Sequence, residues 1–255
     1  MNLSSKTVGW CDAIVQLREL GPAELNAFES ALRDNDVSVV VSAGFSPKRD
    51  LQKVQLCTRP GLIELYHGWG LHPSASLELN HREFQKDIES FAPDFIGELG
   101  LDKRCLETLA WSDQVERAQM GIELALEFRL PLLWHSVHAT QRSLELIEAA
   151  ASRGARGVWH SFHGSLETAK RLVGLGWKIG VGPGLLRPKA HRLESVLRDL
   201  PRASLLLESD WPQPRGSYNL SGLGNSLAEL LGVDSLSLRE ELRENFFDLL
   251  SNDIP

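Results

Sequence analysis

Short apolar runs alternate with amphipathic stretches along the chain. Apolar residues spaced three and four apart predict helices over Trp111–Arg129 and Thr140–Ala151. The run Val37–Ala43 is β-branched and nearly all apolar, which is typical of a parallel strand buried on both faces. Runs of this kind predict eight strands, over Thr7–Asp12, Val37–Ala43, Ile63–Trp69, Phe95–Leu99, Leu132–His135, Val158–His160, Lys178–Val181 and Ser204–Ser209.

The alternation of strands and helices predicts a parallel sheet with right-handed crossovers. Eight such units can close into a (β/α)8 TIM barrel. The alternative is an open, doubly wound sheet, but no GxGxxG turn follows the first strand. A chain of 255 residues has the usual size of one barrel. We therefore expect an α/β fold with a single barrel domain over residues 1–255.

The composition is that of a globular protein, with 42% hydrophobic and 24% charged residues. No apolar run approaches the roughly 20 residues that span a bilayer, and the N-terminus lacks the apolar core of a signal peptide. These features predict a cytoplasmic protein without a membrane partner. Cys11, Cys57 and Cys105 form no CxxC pair, so we expect free thiols.

Residues that can bind metal stand at the ends of four predicted strands. They are Glu98, His135, His160 and Asp210, after the fourth, fifth, sixth and eighth strands. In a parallel barrel these strand ends meet at one mouth, where catalytic residues gather. Carboxylate and imidazole are ligands for zinc, manganese and similar ions. The pattern therefore predicts a divalent-metal site.

The site is inferred from the four residues together. A single histidine at a strand end is more often satisfied by local hydrogen bonds than by a metal ion. Strand alternation also has a consequence for the tryptophans next to the two histidines. If His135 and His160 face inward, Trp134 and Trp159 face outward and pack against helices.

Five motifs follow one another along the chain: Gly70-Leu71-His72-Pro73, Ile96-Gly97-Glu98-Leu99-Gly100-Leu101-Asp102, His135-Ser136, His160-Ser161-Phe162-His163-Gly164 and Leu205-Leu206-Leu207-Glu208-Ser209-Asp210-Trp211-Pro212. In this order they resemble the signatures of the TatD family of deoxyribonucleases. The resemblance extends from roughly Gly68 to Phe247. It implies an amidohydrolase-type barrel with one or two divalent ions (Mg, Mn or Zn), acting as a monomeric nuclease. The implied activity is 3′-to-5′ cleavage of DNA and, in some members, of RNA.

The resemblance also implies roles for individual residues. Glu98 would bridge two ions, and His135 and His160 would hold the second of them. Asp210 would bind the first ion and orient the attacking water, which makes Glu98 and Asp210 the catalytic pair. His72 and His163 stand in matching motifs and are candidates for substrate contact.

The first strand departs from the family pattern, which has a His-x-His pair at its end. The stretch taken to match is Val8-Gly9-Trp10-Cys11-Asp12, and no histidine precedes His67. Trp10 cannot ligate a metal, whereas Asp12 could. Three outcomes remain open: one ion on the surviving ligands, two ions with Asp12 and Asp210 holding the first, or a catalytically impaired subunit that binds nucleic acid or a protein partner. Retained metal binding is the favoured interpretation.

The charge of the chain bears on its substrate. A net charge of −7 argues against indiscriminate nucleic-acid binding. Basic residues at the strand exits could still attract phosphate to the mouth, although they could also simply solvate helix starts. Lys103, Arg104 and Arg187 are the substrate-binding candidates among them. Hydrolysis of an amide or carboxyl ester remains an alternative, because the barrel supports many reactions. The full basic set is Lys48, Arg49, Lys103, Arg104, Arg187, Lys189 and Arg192.

Overall fold

Eight parallel strands form one sheet in sequential order, from β1 to β8. The computed structural model describes residues 8–17, 21–45, 63–75, 80–212 and 217–251. Thr7, Lys48, Arg49 and Cys57 lie outside these ranges. The strands are β1 Trp10–Val15, β2 Val37–Ser42, β3 Glu64–Leu71, β4 Phe95–Asp102, β5 Leu132–Val137, β6 Gly157–Trp159, β7 Lys178–Val181 and β8 Leu205–Leu207.

The sheet closes where the first strand meets the chain that leaves the last. The backbone N–H of Asp210 donates to the carbonyl of Ile14 at 2.9 Å, and the N–H of Gln16 donates to the carbonyl of Trp211 at 2.6 Å. We call this junction the seam. Closure of eight parallel strands with helices between them confirms the predicted (β/α)8 barrel.

Helices surround the barrel, and several begin at residues that cap them. The Asn80 side chain accepts a hydrogen bond from the backbone of Glu83, and Ser165 accepts one from Thr168. No helix in the described part of the chain has the length and apolar character of a membrane span. The helices described are α1 Pro22–Asp34, α2 His81–Phe91, α3 Trp111–Phe128, α4 Thr140–Ala151, α5 Leu166–Gly174, α6 His191–Arg198, α7 Leu220–Leu231 and α8 Ser235–Leu250.

The apolar side chains form two clusters, one on each side of the strands. The inner cluster fills the barrel with residues such as Val41, Leu133 and Leu206. The outer cluster lies between strands and helices and contains Trp134 and Trp159. Both tryptophans are therefore outside the barrel, as strand alternation predicts.

The first strand lies further along the chain than the sequence predicts. It covers Trp10–Val15 in place of Thr7–Asp12, so Asp12 is in its middle rather than at its exit. The pairing with β2 is irregular, with register shifts between Trp10 and Cys11 and between Asp12 and Val15. Such bulges break the strict alternation on which sequence-based placement relies. The fourth strand also continues beyond the predicted Leu99 to Asp102.

The contact between Gly224 of α7 and Trp10 of β1 provides a test of this packing. A Cβ at position 224 would lie 2.5 to 2.7 Å from three ring atoms of Trp10, which is completely buried. We expect Gly224→Ala to lower the free energy of unfolding by about 1–3 kcal/mol, despite the better helix propensity of alanine.

Urea denaturation measures this change, and Gly174→Ala in α5 is the matched control. A Cβ at position 174 would meet no atom within 4 Å. The control should be neutral or slightly stabilising. Equal effects of the two substitutions would contradict close packing of α7 on Trp10.

Candidate active site

Strand β4 brings Glu98 to the mouth of the barrel between two glycines. Gly97 and Gly100 have φ angles of 140° and 145°, which L-residues rarely adopt. A Cβ at Gly100 would lie 1.9 Å from the carbonyl oxygen of His135. The glycines thus allow β4 to approach β5 closely, and this holds the buried Glu98 carboxylate beside His135.

Glu98, His135 and His160 form a compact triad. The Oε1 atom of Glu98 lies 3.2 Å from Nδ1 of His135 and 3.1 Å from Nε2 of His160. The two ring nitrogens are 3.3 Å apart. All three side chains are buried. Three of the predicted ligands therefore meet with their donor atoms facing one another.

The outer nitrogen of each ring is held by a second carboxylate. Nε2 of His135 lies 3.1 Å from Oδ2 of Asp102, and Nδ1 of His160 lies 3.3 Å from Oε1 of Glu208. With an ion bound, each outer N–H would donate to its carboxylate, and both inner nitrogens would direct lone pairs to the ion beside Glu98. Metal-bound histidines are commonly oriented in this way. One carboxylate and two imidazoles arranged like this fit a divalent ion such as zinc or manganese.

Asp102 and Glu208 were not among the predicted site residues. Both stand in the family-like motifs. Asp102 follows Glu98 by four positions, and Glu208 precedes Asp210 by two. Only the fold shows that their carboxylates reach the outer nitrogens of the imidazoles.

The electrostatics of the triad favour positive charge beside the carboxylates. Burial opposes ionisation of Glu98, but the charge of His160 and hydrogen bonds from both histidines keep its pKa well below the usual range. Burial would lower the pKa of His160, yet Glu98 and Glu208 raise it well above normal. Hydrogen bonds to Asp102 and Glu98 likewise outweigh burial and raise the pKa of His135.

Arg104 secures the carboxylate that holds His135. Its Nη2 lies 2.7 Å from Oδ2 of Asp102, and its Nε lies 3.1 Å from Oδ1. Burial would raise the pKa of Asp102, but hydrogen bonds from His135 and Arg104 lower it well below its usual value. The guanidinium predicted to bind substrate is thus also engaged in supporting the triad.

Asp210 reaches the mouth beside Gln16, a residue that sequence reasoning missed. The amide nitrogen Nε2 of Gln16 donates to Oδ1 of Asp210 at 3.0 Å and to Oε2 of Glu98 at 2.7 Å. Asp210 has a left-handed φ of 48°, a conformation that concentrates at functional sites. Burial is the main cause that raises its pKa.

The end of the first strand is occupied by Ile14 and Gln16, which have the spacing of the family's His-x-His pair. This corrects the expectation that the altered pair is Trp10 and Asp12. Ile14 is fully buried in the inner cluster, and Gln16 contacts Glu98 and Asp210. A first strand that extends past Asp12 aligns Ile14 and Gln16 with the His-x-His pair, but the apolar periodicity of the sequence does not require this extension.

Asp12 takes part in the seam. Its Oδ1 accepts a hydrogen bond from the backbone N–H of Ser209 at 2.8 Å, and its Oδ2 accepts one from the Tyr218 hydroxyl at 2.8 Å. The side chain is fully buried, and burial raises its pKa to about 7. Both oxygens are therefore used to join β1 to the chain after β8, in place of the metal-ligand role predicted for Asp12.

His72 stands beside the triad. One of its ring nitrogens lies within 4.8 Å of ligand atoms of Glu98 and His135. Its Nδ1 accepts a hydrogen bond from the backbone N–H of Ser74 at 3.1 Å. A neutral ring then carries its proton on Nε2 and presents a donor. This supports the predicted contact with substrate oxygen more than metal ligation.

A cavity of about 580 Å³ opens beside the triad. Among its lining residues are the predicted substrate-binding residues Arg104, His163 and Arg187, together with Asp210. Lys103, the remaining basic candidate, has its ammonium 5.5 Å from the centre of the Trp111 ring. The cavity thus brings together three of the five predicted substrate-binding side chains beside the triad, whereas His72 and Lys103 are not among its lining residues.

Comparison with known proteins links this arrangement to one family. The family described as TatD related DNase matches residues 12–251. A protein of Escherichia coli (strain K12) named uncharacterized metal-dependent hydrolase YjjV is 35% identical over 157 residues, 58% of each chain. Deoxyribonuclease Tat-D of Schizosaccharomyces pombe is 30% identical over 165 residues, 58% of this chain and 52% of that protein. The chain therefore spans little more than half the length of these curated relatives.

The crystal structure of YjjV is similar over a larger region. Its TM-score with this chain is 0.79, and the alignment covers 96% of this chain and 98% of the YjjV chain. Sequence identity over that alignment is 23%, so the comparison shows the shared barrel fold.

The seam gives a pH-dependent prediction through Asp12. Because its folded pKa is about 7, well above the ordinary 3.8, the wild type loses stability as pH rises from 3.8 through 7. Asp12→Asn keeps the shape of the side chain and removes this titration. We expect the free energy of unfolding of the variant, relative to wild type, to increase by about 2 kcal/mol between pH 5 and pH 7.

Denaturant unfolding at the two pH values measures this difference. Other titrating groups are common to both proteins, so their contributions cancel in the comparison. Parallel stability profiles for wild type and Asp12→Asn would show that Asp12 is already ionised in the folded protein.

The support of His135 by Asp102 gives a second prediction from this site. We expect Asp102→Asn to weaken binding of Zn²⁺ or Mn²⁺ by 10- to 100-fold, because the imidazole loses its charged partner. Calorimetric titration of the metal-free protein measures the affinity. Asp113→Asn, at an exposed position of α3, is the control and should bind as the wild type does. Unchanged affinity in Asp102→Asn would rule out this supporting role.

Proposed function

The chain belongs to the TatD family, since the family match covers residues 12–251, and we propose that it is a divalent-metal-dependent hydrolase of nucleic-acid phosphodiesters. The observation that carries this proposal is the buried triad of Glu98, His135 and His160, with a carboxylate behind each imidazole. The triad lies at the C-terminal ends of the strands, where barrel enzymes have their catalytic residues.

Glu98, His135 and His160 would hold the ion through Oε1, Nδ1 and Nε2. An ion bound there would polarise a phosphoryl oxygen and lower the pKa of a bound water. Asp102 and Glu208 would keep the protons of the two imidazoles on their outer nitrogens, so that the unprotonated inner nitrogens could ligate the ion.

Asp210 is the residue we assign to hold the attacking water and accept its proton. Gln16 holds its Oδ1, which fixes the orientation of the carboxylate at the mouth. The residue also lines the cavity that we assign to the substrate. A general base must lie within hydrogen-bond reach of the proton it takes, and a carboxylate held at the edge of the cavity meets this need.

Basic and hydrogen-bond-donating side chains at the cavity would bind the phosphates of the substrate. Arg187 and His163 line the cavity, and His72 presents a donor beside the triad. In a chain with a net charge of −7, a local cationic patch attracts phosphate without promoting binding elsewhere. The substrate we propose is the end of a DNA strand, or of RNA. The relative from Schizosaccharomyces pombe carries the name deoxyribonuclease, which supports DNA as the first substrate to test.

A second candidate is a non-hydrolytic subunit that binds nucleic acid or a protein partner at the same mouth. Ile14 and Gln16 favour it, because they replace the His-x-His pair by which family members bind their first ion. An amide or carboxyl ester substrate is a third possibility that the same measurements address, since the residues of the triad do not select the bond.

Cleavage of end-labelled single-stranded DNA with Mn²⁺ or Mg²⁺ tests the proposed activity. We expect the wild type to shorten the strand and Glu98→Ala to lose at least 100-fold of the rate, because the triad loses its only carboxylate. Glu145→Ala, an exposed glutamate of α4 paired with Arg142, should cleave at the wild-type rate.

The remaining outcomes separate the candidates. Equal rates for wild type and Glu98→Ala would contradict phosphodiester hydrolysis at this site. DNA binding without cleavage, in a protein that has bound metal, would favour the binding subunit. Metal binding with neither cleavage nor binding of DNA would direct the search to another substrate bond.

A further inference from the structure

The two oxygens of Glu98 face different kinds of partner. Oε1 faces the imidazole nitrogens of His135 and His160. Oε2 accepts a hydrogen bond from Nε2 of Gln16 at 2.7 Å. The carboxylate therefore has a side suited to an ion and a side already bonded to an amide.

The same amide nitrogen connects Glu98 to Asp210. An amide nitrogen carries two hydrogens, and here one points to Oε2 of Glu98 and the other to Oδ1 of Asp210. Ionised carboxylates only accept, so the NH₂ group of Gln16, and not its carbonyl oxygen, must face them. Gln16 is 7% exposed, and its hydrogen bond to Glu98 is buried.

Oε2 of Glu98 and Oδ1 of Asp210 share the amide nitrogen of Gln16. If that amide were absent, the space between the two oxygens would suit a cation. Without a donor between them, the buried charge of Glu98 and the neighbouring charge of Asp210 would repel each other. The amide takes the position in which a cation would relieve that repulsion. Ile14, the neighbour on the same strand end, adds only an apolar side chain and no ligand atom.

We propose that this site holds a single divalent ion, on Glu98, His135 and His160, and that Gln16 takes the place of a second ion. This inference rests on the metal binding of the proposed function and specifies its stoichiometry. The amide keeps Glu98 and Asp210 together without a second charge. Asp210 then acts as an amide-held carboxylate beside the ion site rather than as a ligand of another ion.

Metal content distinguishes one ion from two without reference to activity. We would reconstitute metal-free wild type with Mn²⁺, remove excess metal, and measure ions per chain by inductively coupled plasma mass spectrometry. One ion per chain is expected, with the electron paramagnetic resonance spectrum of an isolated Mn²⁺. Two ions per chain, or the spectrum of an exchange-coupled pair, would overturn the inference.

Two variants test whether Gln16 is the cause. The double substitution Ile14→His and Gln16→His supplies two imidazoles, and Gln16→Glu supplies a carboxylate of nearly the same size. We expect two ions per chain in at least one of them. Because Ile14 is completely buried, the double variant could fail to fold, and Gln16→Glu then decides alone. Gln141→Glu, exposed on α4, is the control and should bind one ion.

Each other outcome is informative. One ion in the wild type and in every folded variant would show that Gln16 does not set the stoichiometry. No bound ion in the wild type would contradict the proposed metal dependence itself, and this inference would fall with it. One ion with no cleavage of DNA would leave the inference intact and count against the proposed substrate.

Discussion

The seam between the first strand and the chain after the last strand fixes the geometry of the whole mouth. Asp12 uses both of its carboxylate oxygens there, one for the backbone of Ser209 and one for Tyr218. Backbone hydrogen bonds from Asp210 and Gln16 continue the junction. A shift of one residue in this register would turn Gln16 away from Asp210 and Glu98. The position of the candidate catalytic residues thus depends on how the barrel closes.

Buried acids are tolerated at this mouth because each has donors. An unpaired buried carboxylate would cost several kcal/mol, which few proteins could sustain at several positions together. Asp102 accepts from Arg104 and His135, and Glu208 has His160 and the backbone N–H of Ser161 at Oε1, whereas its buried Oε2 has no hydrogen-bond partner among the described residues. Glu98 stands between the two histidines and Gln16. The result is a fixed network of acids and imidazoles in which added positive charge is favoured.

The proposed chemistry depends on a division of labour between strand ends. Strands β4, β5 and β6 lead to the residues that would hold an ion, whereas β1 and β8 lead to Gln16 and Asp210. The loops beyond them supply Arg187 and His163 to the cavity. Arg104 has two roles, because it lines the cavity and also donates hydrogen bonds to Asp102. Its replacement would therefore disturb the triad as well as any contact with phosphate.

The sequence by itself determined the barrel and most side chains of the candidate site. Alternating apolar runs specify strands and helices, and the C-terminal ends of parallel strands meet at one face of a barrel. Glu98, His135, His160 and Asp210 could therefore be expected at one mouth from the sequence alone. The tertiary structure alone decided the roles of Asp12 and Gln16. Strand β1 continues past Asp12 to Val15, and its irregular pairing with β2 interrupts the two-residue period on which a placement from sequence relies. Likewise, Asp102 and Glu208 become partners of the imidazoles only through contacts 33 and 48 residues apart in sequence, which no local pattern records.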